Sequence, residues 1–346
     1  MICFTTFELM IFSENFSLKT YNTFGIDAKA KYFTAFESIA ELNSILISEI
    51  YKNNKTFVLG GGSNVLFKED YDGLIIHNKI AGICILEDNK NDVIVEVGAG
   101  KNWHNFVMWS VSQGLSGIEN LALIPGTVGA SPIQNIGAYG LEVKDTIIKV
   151  AAIEIATQKV KTFSNAECEF QYRNSIFKGK RKGEFIITKV TFNLSKIPFN
   201  KTSYGVIAEE LKSLDKAPSP QSIAEAVINI RSRKLPNPEE LGNSGSFFKN
   251  PVILTPKFTA LQKKFPKLVG YKISETETKV AAGWLIDNAG LKGYRKADAG
   301  VHINQALVLV NYGEASGEEI IALAKEIQTI VKEKYDIQIV PEVNIL

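Results

Sequence analysis

Cysteine, histidine, methionine and tryptophan are scarce: the 346-residue chain has three of each. Cys3, Cys84 and Cys168 are scattered and odd in number. They form no CxxC pair, so neither a disulfide framework nor a thiolate zinc site is expected, and a reducing cytosol suits them. His77, His104 and His302 stand far apart without metal-ligand spacing. That argues against catalytic zinc and against His-based nucleophilic catalysis, and no metal is expected. Net charge is nearly absent too, +2 from 39 basic and 37 acidic residues. The charge balance therefore offers no reason to expect nucleic acid or an anionic membrane as partner, although a local basic cluster can still hold a small acidic ligand. No apolar run approaches the ~18 residues of a membrane span. Residues 1–12 are mildly apolar but carry Glu8 and no Lys or Arg before Lys19, so the basic n-region of a signal peptide is missing, and Met10 is an alternative start. Internal repeats and low-complexity tracts are also missing.

Ordinary globular material is present. Hydrophobic residues make up 45% and charged residues 22% of the chain, and at about 150 residues per domain the length suggests two or three domains. The first half alternates β-rich runs with glycine-rich turns. Strands are expected at 56–59, before Gly60-Gly61-Gly62-Ser63-Asn64, and at 93–97, before Gly98-Ala99-Gly100. A helix is expected from Asn102 to Gln113, stopped by Gly114. Residues 147–156 and 184–194 alternate like half-buried strands. The pattern weakens around 195–203, where a boundary is placed. Beyond it, Ser219-Pro220 reads as an N-cap with proline at the first helical position, followed by a stripe of Ile223, Ala226, Val227 and Ile230 that Pro236 and Pro238 end. Ser316 and Glu319 have capping-box spacing, and Ile320, Leu323, Ala324, Ile327 and Val331 form a helical stripe. A closing strand is expected at 337–340. Mixed helix and strand in at least two units makes the fold class α+β.

Two glycine-rich stretches carry the first chemical signals. In Gly60-Gly61-Gly62-Ser63-Asn64 consecutive glycines let backbone N–H groups converge on phosphate oxygens. The stretch is neither a Walker loop nor a GxGxxG, and a plain tight turn accounts for it equally well. Ile124-Pro125-Gly126-Thr127-Val128-Gly129-Ala130 leads to Gln134-Asn135-Ile136-Gly137-Ala138-Tyr139-Gly140. This second stretch has little side-chain mass to bury, which suits a large flat ligand contacting backbone, or else a long ordered surface loop. Three further segments stand out less. Tyr172-Arg173-Asn174-Ser175 places an arginine among small polar residues, apt for bidentate carboxylate pairing or simply exposed. Gly242-Asn243-Ser244-Gly245-Ser246-Phe247-Phe248-Lys249-Asn250-Pro251 is not the GxSxG nucleophile elbow and by itself is a loop. Pro341-Glu342-Val343 holds a glutamate near the C-terminus that by itself is a solvated one.

Together these segments resemble the bacterial UDP-N-acetylenolpyruvoylglucosamine reductases, and in particular their larger, type I members. The resemblance runs from about Leu18 to the C-terminus. It implies an FAD-binding unit of the vanillyl-alcohol-oxidase type, residues 18–194, with two subdomains split near 80–90. It also implies a substrate-binding α+β domain, residues 204–346, whose final strand returns to the active site. FAD would be held non-covalently by Gly60, Gly61, Gly62, Ser63, Asn64, Pro125, Gly126, Val128, Gly129, Ala130, Gln134, Asn135, Gly137 and Ala138. Ser246 would be the proton donor, with Arg173 and Glu342 around the substrate carboxylate. Tyr172, Tyr204, Lys234, Asn250, Lys292 and Gln305 would bind substrate, Tyr204 from a mobile loop that closes over it. Lys234 and Lys292 supply charge for a diphosphate despite the near-zero balance, and Lys234 is a candidate to polarise the Ser246 hydroxyl.

The implied reaction reduces the enolpyruvyl ether of UDP-N-acetylglucosamine to UDP-N-acetylmuramate for peptidoglycan, with NADPH as co-substrate. Hydride would pass from NADPH to FAD and then to the methylene carbon, and Ser246 would protonate the adjacent enolate carbon. A monomeric cytoplasmic enzyme acting on a small molecule is expected. The rival readings are an FAD-dependent sugar or hydroxy-acid oxidase of the same superfamily, which should lack the Ser246 segment, and a non-catalytic nucleotide-sugar-binding protein, which has no use for flavin loops.

Overall fold

The computed structural model describes residues 11–202 and 205–346. The chain divides into two compact units, each built from several chain segments. The first takes residues 11–16, Ala30–Gly61 and Asp72–Arg231; the second takes Ser17–Lys29, Gly62–Tyr71 and Ser232–Leu346.

The first unit has two sheets. One runs in the order Ser13–Ser17, Lys29–Phe36, Tyr71–Asn78, Thr56–Leu59. Thr56–Leu59 is the strand expected from the sequence, and it pairs parallel with Tyr71–Asn78. Helix Ile39–Ile47 starts where the Ser38 hydroxyl accepts from Glu41 N–H, and it buries Leu42, Ile45 and Leu46. The other sheet is antiparallel, in the order Lys159–Ser164, Ile147–Glu154, Phe185–Ser195, Asp92–Gly98, Ile83–Asp88. Against it packs helix Trp103–Ser112, capped by the Asn102 side chain. Phe106 and Phe192 bring their ring centroids to 4.9 Å, and Trp103 is buried with them. Helices Gly205–Ser213 and Pro220–Lys234 add Ile207, Leu211, Ile223, Ala226, Val227 and Ile230 to the same core. Each of the Ile, Leu and Val side chains contributes roughly 1.5–3 kcal/mol by leaving water. Contacts thus group these two helices with the first unit, although both follow the weak stretch at 195–203. Ser219 caps the second helix as its sequence suggests, its hydroxyl accepting from Ser222 N–H at 3.1 Å.

The second unit holds a sheet ordered Gly242–Ser246, Val308–Asn311, Ala299–Val301, Arg295–Lys296, and a smaller one ordered Val252–Leu254, Glu277–Val280, Gly270–Lys272. Helix Gly317–Tyr335 begins with the expected capping box between Ser316 and Glu319, and the whole predicted stripe is buried. Gly317 has to be glycine: a Cβ there would lie 1.9 Å from the Phe67 carbonyl oxygen.

The strand expected at 337–340 does not form. Its apolar side chains are in place, with Ile337 and Ile339 buried, but no strand is available to build a ladder. The Gln328 side chain takes the Ile339 carbonyl at 2.8 Å, Lys249 N–H takes that of Val340 at 3.0 Å, and a single bridge joins Pro341 to Phe248. The terminal strand is Asn344–Ile345 instead, parallel to Val65–Leu66. Among the described residues no helix is long and apolar enough to cross a membrane, and no cluster of three or more His, Cys, Asp or Glu is placed to hold a metal.

Candidate functional site

In the first unit the two glycine stretches touch. A Cβ on Gly61 would come within 2.9 Å of Gly126 Cα, and one on Gly60 within 2.6 Å of Thr127 Oγ1. Gly126 itself has φ +116°, which L side chains rarely adopt. Gly61 is therefore demanded by backbone meeting backbone, and Gly60 by the close approach of the Thr127 hydroxyl. The second stretch is fixed from behind by the start of helix Trp103–Ser112. Trp103 N–H donates to Gly126 O at 3.0 Å, Val128 N–H to Lys101 O at 2.9 Å, and Gly129 N–H to Ala99 O at 2.8 Å. Trp103 Nε1 reaches Leu121 O at 3.0 Å, and His104 Nδ1 accepts from Leu123 N–H at 3.0 Å. Val128 and Gly129 are buried in the short 3-10 turn Val128–Ala130, which follows Pro125 and Gly126. These clamps explain why a loop with so little side-chain mass is ordered.

Tyr172 and Arg173 sit at the tip of a tight turn closed by Gln171 and Asn174, with Arg173 at φ +53°. The turn is stitched to residues 133–138. Arg173 donates to Asn135 O at 3.3 Å and to Gly137 O at 2.8 Å, Lys178 Nζ to Gln134 Oε1 at 3.0 Å, and Ser175 Oγ to Ile133 O at 2.7 Å. Asn135 returns a bond from its amide to Gln171 O at 3.1 Å. The guanidinium also lies over the Tyr172 ring, 5.4 Å from its centroid. One arginine is thus aimed by two main-chain carbonyls of a stretch whose own residues are Gln134, Asn135, Gly137 and Ala138.

In the second unit, strand Gly242–Ser246 pairs with Val308–Asn311, but its register slips between Asn243 and Ser246. Gly245 occupies the left-handed region at φ +68°, and Asn243 Oδ1 accepts from Gly245 N–H at 2.9 Å. This bulge turns the exposed Ser246 out of the regular pleat. Next to it, Glu342 N–H donates to Phe247 O at 2.7 Å, so Ser246 and Glu342 lie on neighbouring extended segments. The same C-terminal segment ties back to the end of the first glycine stretch. Asn64 O accepts from Asn344 N–H at 3.1 Å and from its side chain at 2.9 Å, and Asn344–Ile345 pairs beside it. A Cβ on Gly62, at φ +63°, would lie 2.0 Å from Tyr21 O. Gly62, Ser63 and Asn64 belong to this unit with Ser246 and Glu342, whereas Gly60, Gly61 and Arg173 belong to the first.

The remaining sequence candidates are dispersed. Lys234 is exposed at the end of helix Pro220–Lys234. Lys292 is exposed and ion-paired with Asp287 at 2.7 Å. Asn250 Oδ1 caps the first amide of helix Ala282–Asn288, accepting from Ala282 N–H at 2.9 Å. Gln305 Oε1 would lie 3.3 Å from a Cβ on Gly283 in that helix. Tyr204 lies outside the described residues.

Known proteins resemble the chain throughout its length. A UDP-N-acetylenolpyruvoylglucosamine reductase from Flavobacterium johnsoniae is 53% identical over 339 residues, 97% of this chain and 100% of that one. The chain belongs to the UDP-N-acetylenolpyruvoylglucosamine reductase family. The relative of that name from Chromobacterium violaceum is 47% identical over 97% of this chain and 99% of its own. Residues 237–346 match the C-terminal domain of the UDP-N-acetylenolpyruvoylglucosamine reductases, and residues 30–164 match an FAD binding domain. The crystal structure of the family member from Thermus caldophilus has the same fold, with a TM-score of 0.68 at 24% identity over 97% of this chain and 99% of that one. The fold is accordingly α+β, an FAD-binding domain followed by the reductase C-terminal domain.

The residues present fit FAD. The closely packed main chain of Gly60, Gly61 and Gly126 suits an oxygen-rich dinucleotide, because these glycine amides have no Cβ to screen them. Sequence reasoning missed the residues that hold this surface in shape. Trp103 and His104 fill that role, and Asn243, also missed, holds the bulge at Ser246 in the second unit. Asn243 was next to a visible motif, but Trp103 and His104 read as the ordinary first turn of an amphipathic helix.

Proposed function

We propose that the protein reduces UDP-N-acetylglucosamine enolpyruvate to UDP-N-acetylmuramate at the expense of NADPH, a step of peptidoglycan precursor synthesis. The observation that carries this is full-length similarity, 53% identity over 97% of the chain, with an FAD binding domain and the reductase's own C-terminal domain in sequence. That C-terminal match favours the reductase over an oxidase. Residues 18–194 hold FAD and residues 204–346 bind substrate in this reading, a functional division that differs from the division by contacts. FAD is held, non-covalently, by residues 60–64 and by Pro125, Gly126, Val128, Gly129, Ala130, Gln134, Asn135, Gly137 and Ala138. When bound it supplies hydride chemistry, linking NADPH to the methylene carbon of the enolpyruvyl ether.

The chain's own residues do the rest. Arg173, already oriented by two carbonyls, pairs with the substrate carboxylate. Glu342 stands at the same carboxylate. Negative charge that develops there is met by Arg173, whose guanidinium its two carbonyls hold in place beforehand. Ser246, turned out by its bulge, protonates the carbon next to the carboxylate. A hydroxyl is a weak acid, and Lys234 polarises it. Tyr172, Tyr204, Asn250, Lys292 and Gln305 hold the nucleotide sugar. The enzyme works as a monomer in the cytoplasm.

The test begins with colour: the purified protein should be yellow, release its chromophore in acid, and consume NADPH only when the enolpyruvyl substrate is present. Ser246→Ala should leave reduction of the flavin by NADPH within about twofold of wild type. Its reoxidation by substrate should slow by roughly 100- to 10,000-fold, the usual worth of a placed acid. Ser246→Cys should recover part of that rate. Stopped-flow absorbance separates the two half-reactions. Reoxidation of Ser246→Ala within about tenfold of wild type removes Ser246 as the acid and makes Glu342 the leading candidate.

A further inference from the structure

His302 follows strand Ala299–Val301 in the second unit and begins the turn that leads into Val308–Asn311. It is only 9% exposed, and its Nδ1 is enclosed without a hydrogen-bond partner. The side chain makes no hydrogen bond among the described residues, and of its two nitrogens only Nδ1 is enclosed, which leaves Nε2 open. Burial lowers the pKa of the imidazole, so the ring is neutral near pH 7. A neutral imidazole carries one N–H. On Nδ1 that proton would be an enclosed donor with no acceptor, which folded proteins rarely tolerate, whereas on Nε2 it faces outward. His302 therefore presents one uncharged donor at the surface of the second unit.

The surroundings say what meets that donor. Ser246 pairs with Val308, and Val308 O accepts from His302 N–H at 2.9 Å. The two residues thus stand two strand spacings apart, about 10 Å. Gln305 belongs to the same turn, and its carbonyl accepts from Val308 N–H at 3.0 Å. Ile303 is 66% exposed, so the outer side of the turn is open, and a Cβ on Gly293 would lie 3.7 Å from its Cγ1. That contact sets the turn beside Lys292. His302 is therefore flanked by two residues assigned to the nucleotide sugar, and it lies within that molecule's length of Ser246. Lysine ammonium groups answer a diphosphate, while a neutral N–H suits an uncharged oxygen.

We propose that His302 donates from Nε2 to an uncharged oxygen of the nucleotide sugar, on the nucleoside or on the sugar ring, and is a further substrate-binding residue. The inference rests on the reading that residues 204–346 bind this substrate.

His302→Phe and His302→Ala remove the donor, and His302→Gln returns an N–H close to the place of Nε2. The measurements are made on the FAD-loaded enzyme. Binding of UDP-N-acetylglucosamine, UMP and inorganic pyrophosphate is followed by the change in flavin absorbance. KM and kcat are determined with the enolpyruvyl substrate, and thermal melting is recorded. His302→Phe and His302→Ala should raise KM about 3- to 10-fold, the worth of one neutral hydrogen bond, with kcat within about twofold of wild type and pyrophosphate binding unchanged. His302→Gln should fall between them and wild type. If the oxygen belongs to the nucleoside, UMP loses the same factor. If it belongs to the sugar ring, UMP is unaffected and UDP-N-acetylglucosamine loses it. His302→Phe should melt no lower than wild type, because an enclosed unpaired nitrogen gives way to carbon. Wild-type KM in both His302→Phe and His302→Ala overturns the proposal. So does weaker pyrophosphate binding by the same factor as substrate. A loss of affinity shared equally by His302→Gln and accompanied by lower melting overturns it too, since His302 would then only pack the turn. Failure of the wild-type enzyme to bind UDP-N-acetylglucosamine would instead sink the substrate reading beneath it.

Discussion

Gly61→Ala isolates the contact on which the cofactor surface depends. The new Cβ would stand 2.9 Å from Gly126 Cα and 3.2 Å from its carbonyl carbon. Ordinary carbon–carbon contact is about 3.5–4.0 Å, so one stretch has to retreat by roughly half an ångström to one ångström. The Gly126 side resists. Gly126 O is held by Trp103 N–H at 3.0 Å, and two and three residues on, Val128 N–H and Gly129 N–H are held at 2.9 and 2.8 Å. Overpacking of this size costs about 1–3 kcal/mol, less than the roughly 5–15 kcal/mol by which a domain is stable, so the variant should fold. Its amides, however, no longer converge where they did. Losing one charge-assisted hydrogen bond to a phosphate oxygen weakens FAD by about 10- to 100-fold. The assay is titration of deflavinated protein with FAD, alongside thermal melting of both forms. Gly205→Ala is the control, since a Cβ there meets nothing within 4 Å, and it should bind FAD like wild type. Wild-type FAD affinity in Gly61→Ala would refute the argument that the contact between the two stretches shapes the cofactor surface.

Two further outcomes follow from local geometry. Ser316→Ala removes a capping box in which Ser316 Oγ accepts from Glu319 N–H at 3.2 Å and Glu319 Oε2 accepts from Ser316 N–H at 2.7 Å; unfolding in denaturant should show a loss of about 0.5–2 kcal/mol with flavin content unchanged, and an unaltered midpoint would count against the cap. Cys84 is exposed, whereas burial pushes the Cys168 thiol up to about 12; alkylation at about pH 8 read peptide by peptide should mark Cys84 and spare Cys168, and equal labelling would contradict the packing around Cys168.

Local signals in the sequence determined where many elements begin and end. Asn102 and Gly114 bracket helix Trp103–Ser112, Ser219-Pro220 opens Pro220–Lys234, and Ser316 with Glu319 opens Gly317–Tyr335. These devices act within a turn of chain, so they can be read without knowing what lies nearby. Motifs also revealed the family, because Gly242–Ser246 with its Phe-Phe-Lys-Asn-Pro continuation and the two glycine stretches are specific in combination. Tertiary structure alone decided the rest. Residues 337–340 have a strand's composition but lack a ladder, while the less strand-like Asn344–Ile345 pairs with Val65–Leu66, nearly a chain length away. Gly61 is glycine because of Gly126, 65 residues later. Ser246 is turned out by a bulge whose register depends on Val308–Asn311. Arg231 reads as one more cation at a helix end, and its hydrogen bond to Tyr139 and its effect on His104 exist only in the folded chain. In each case the deciding neighbour is distant in sequence. A residue's propensity is local, but its partners and its dielectric surroundings come from the folded chain.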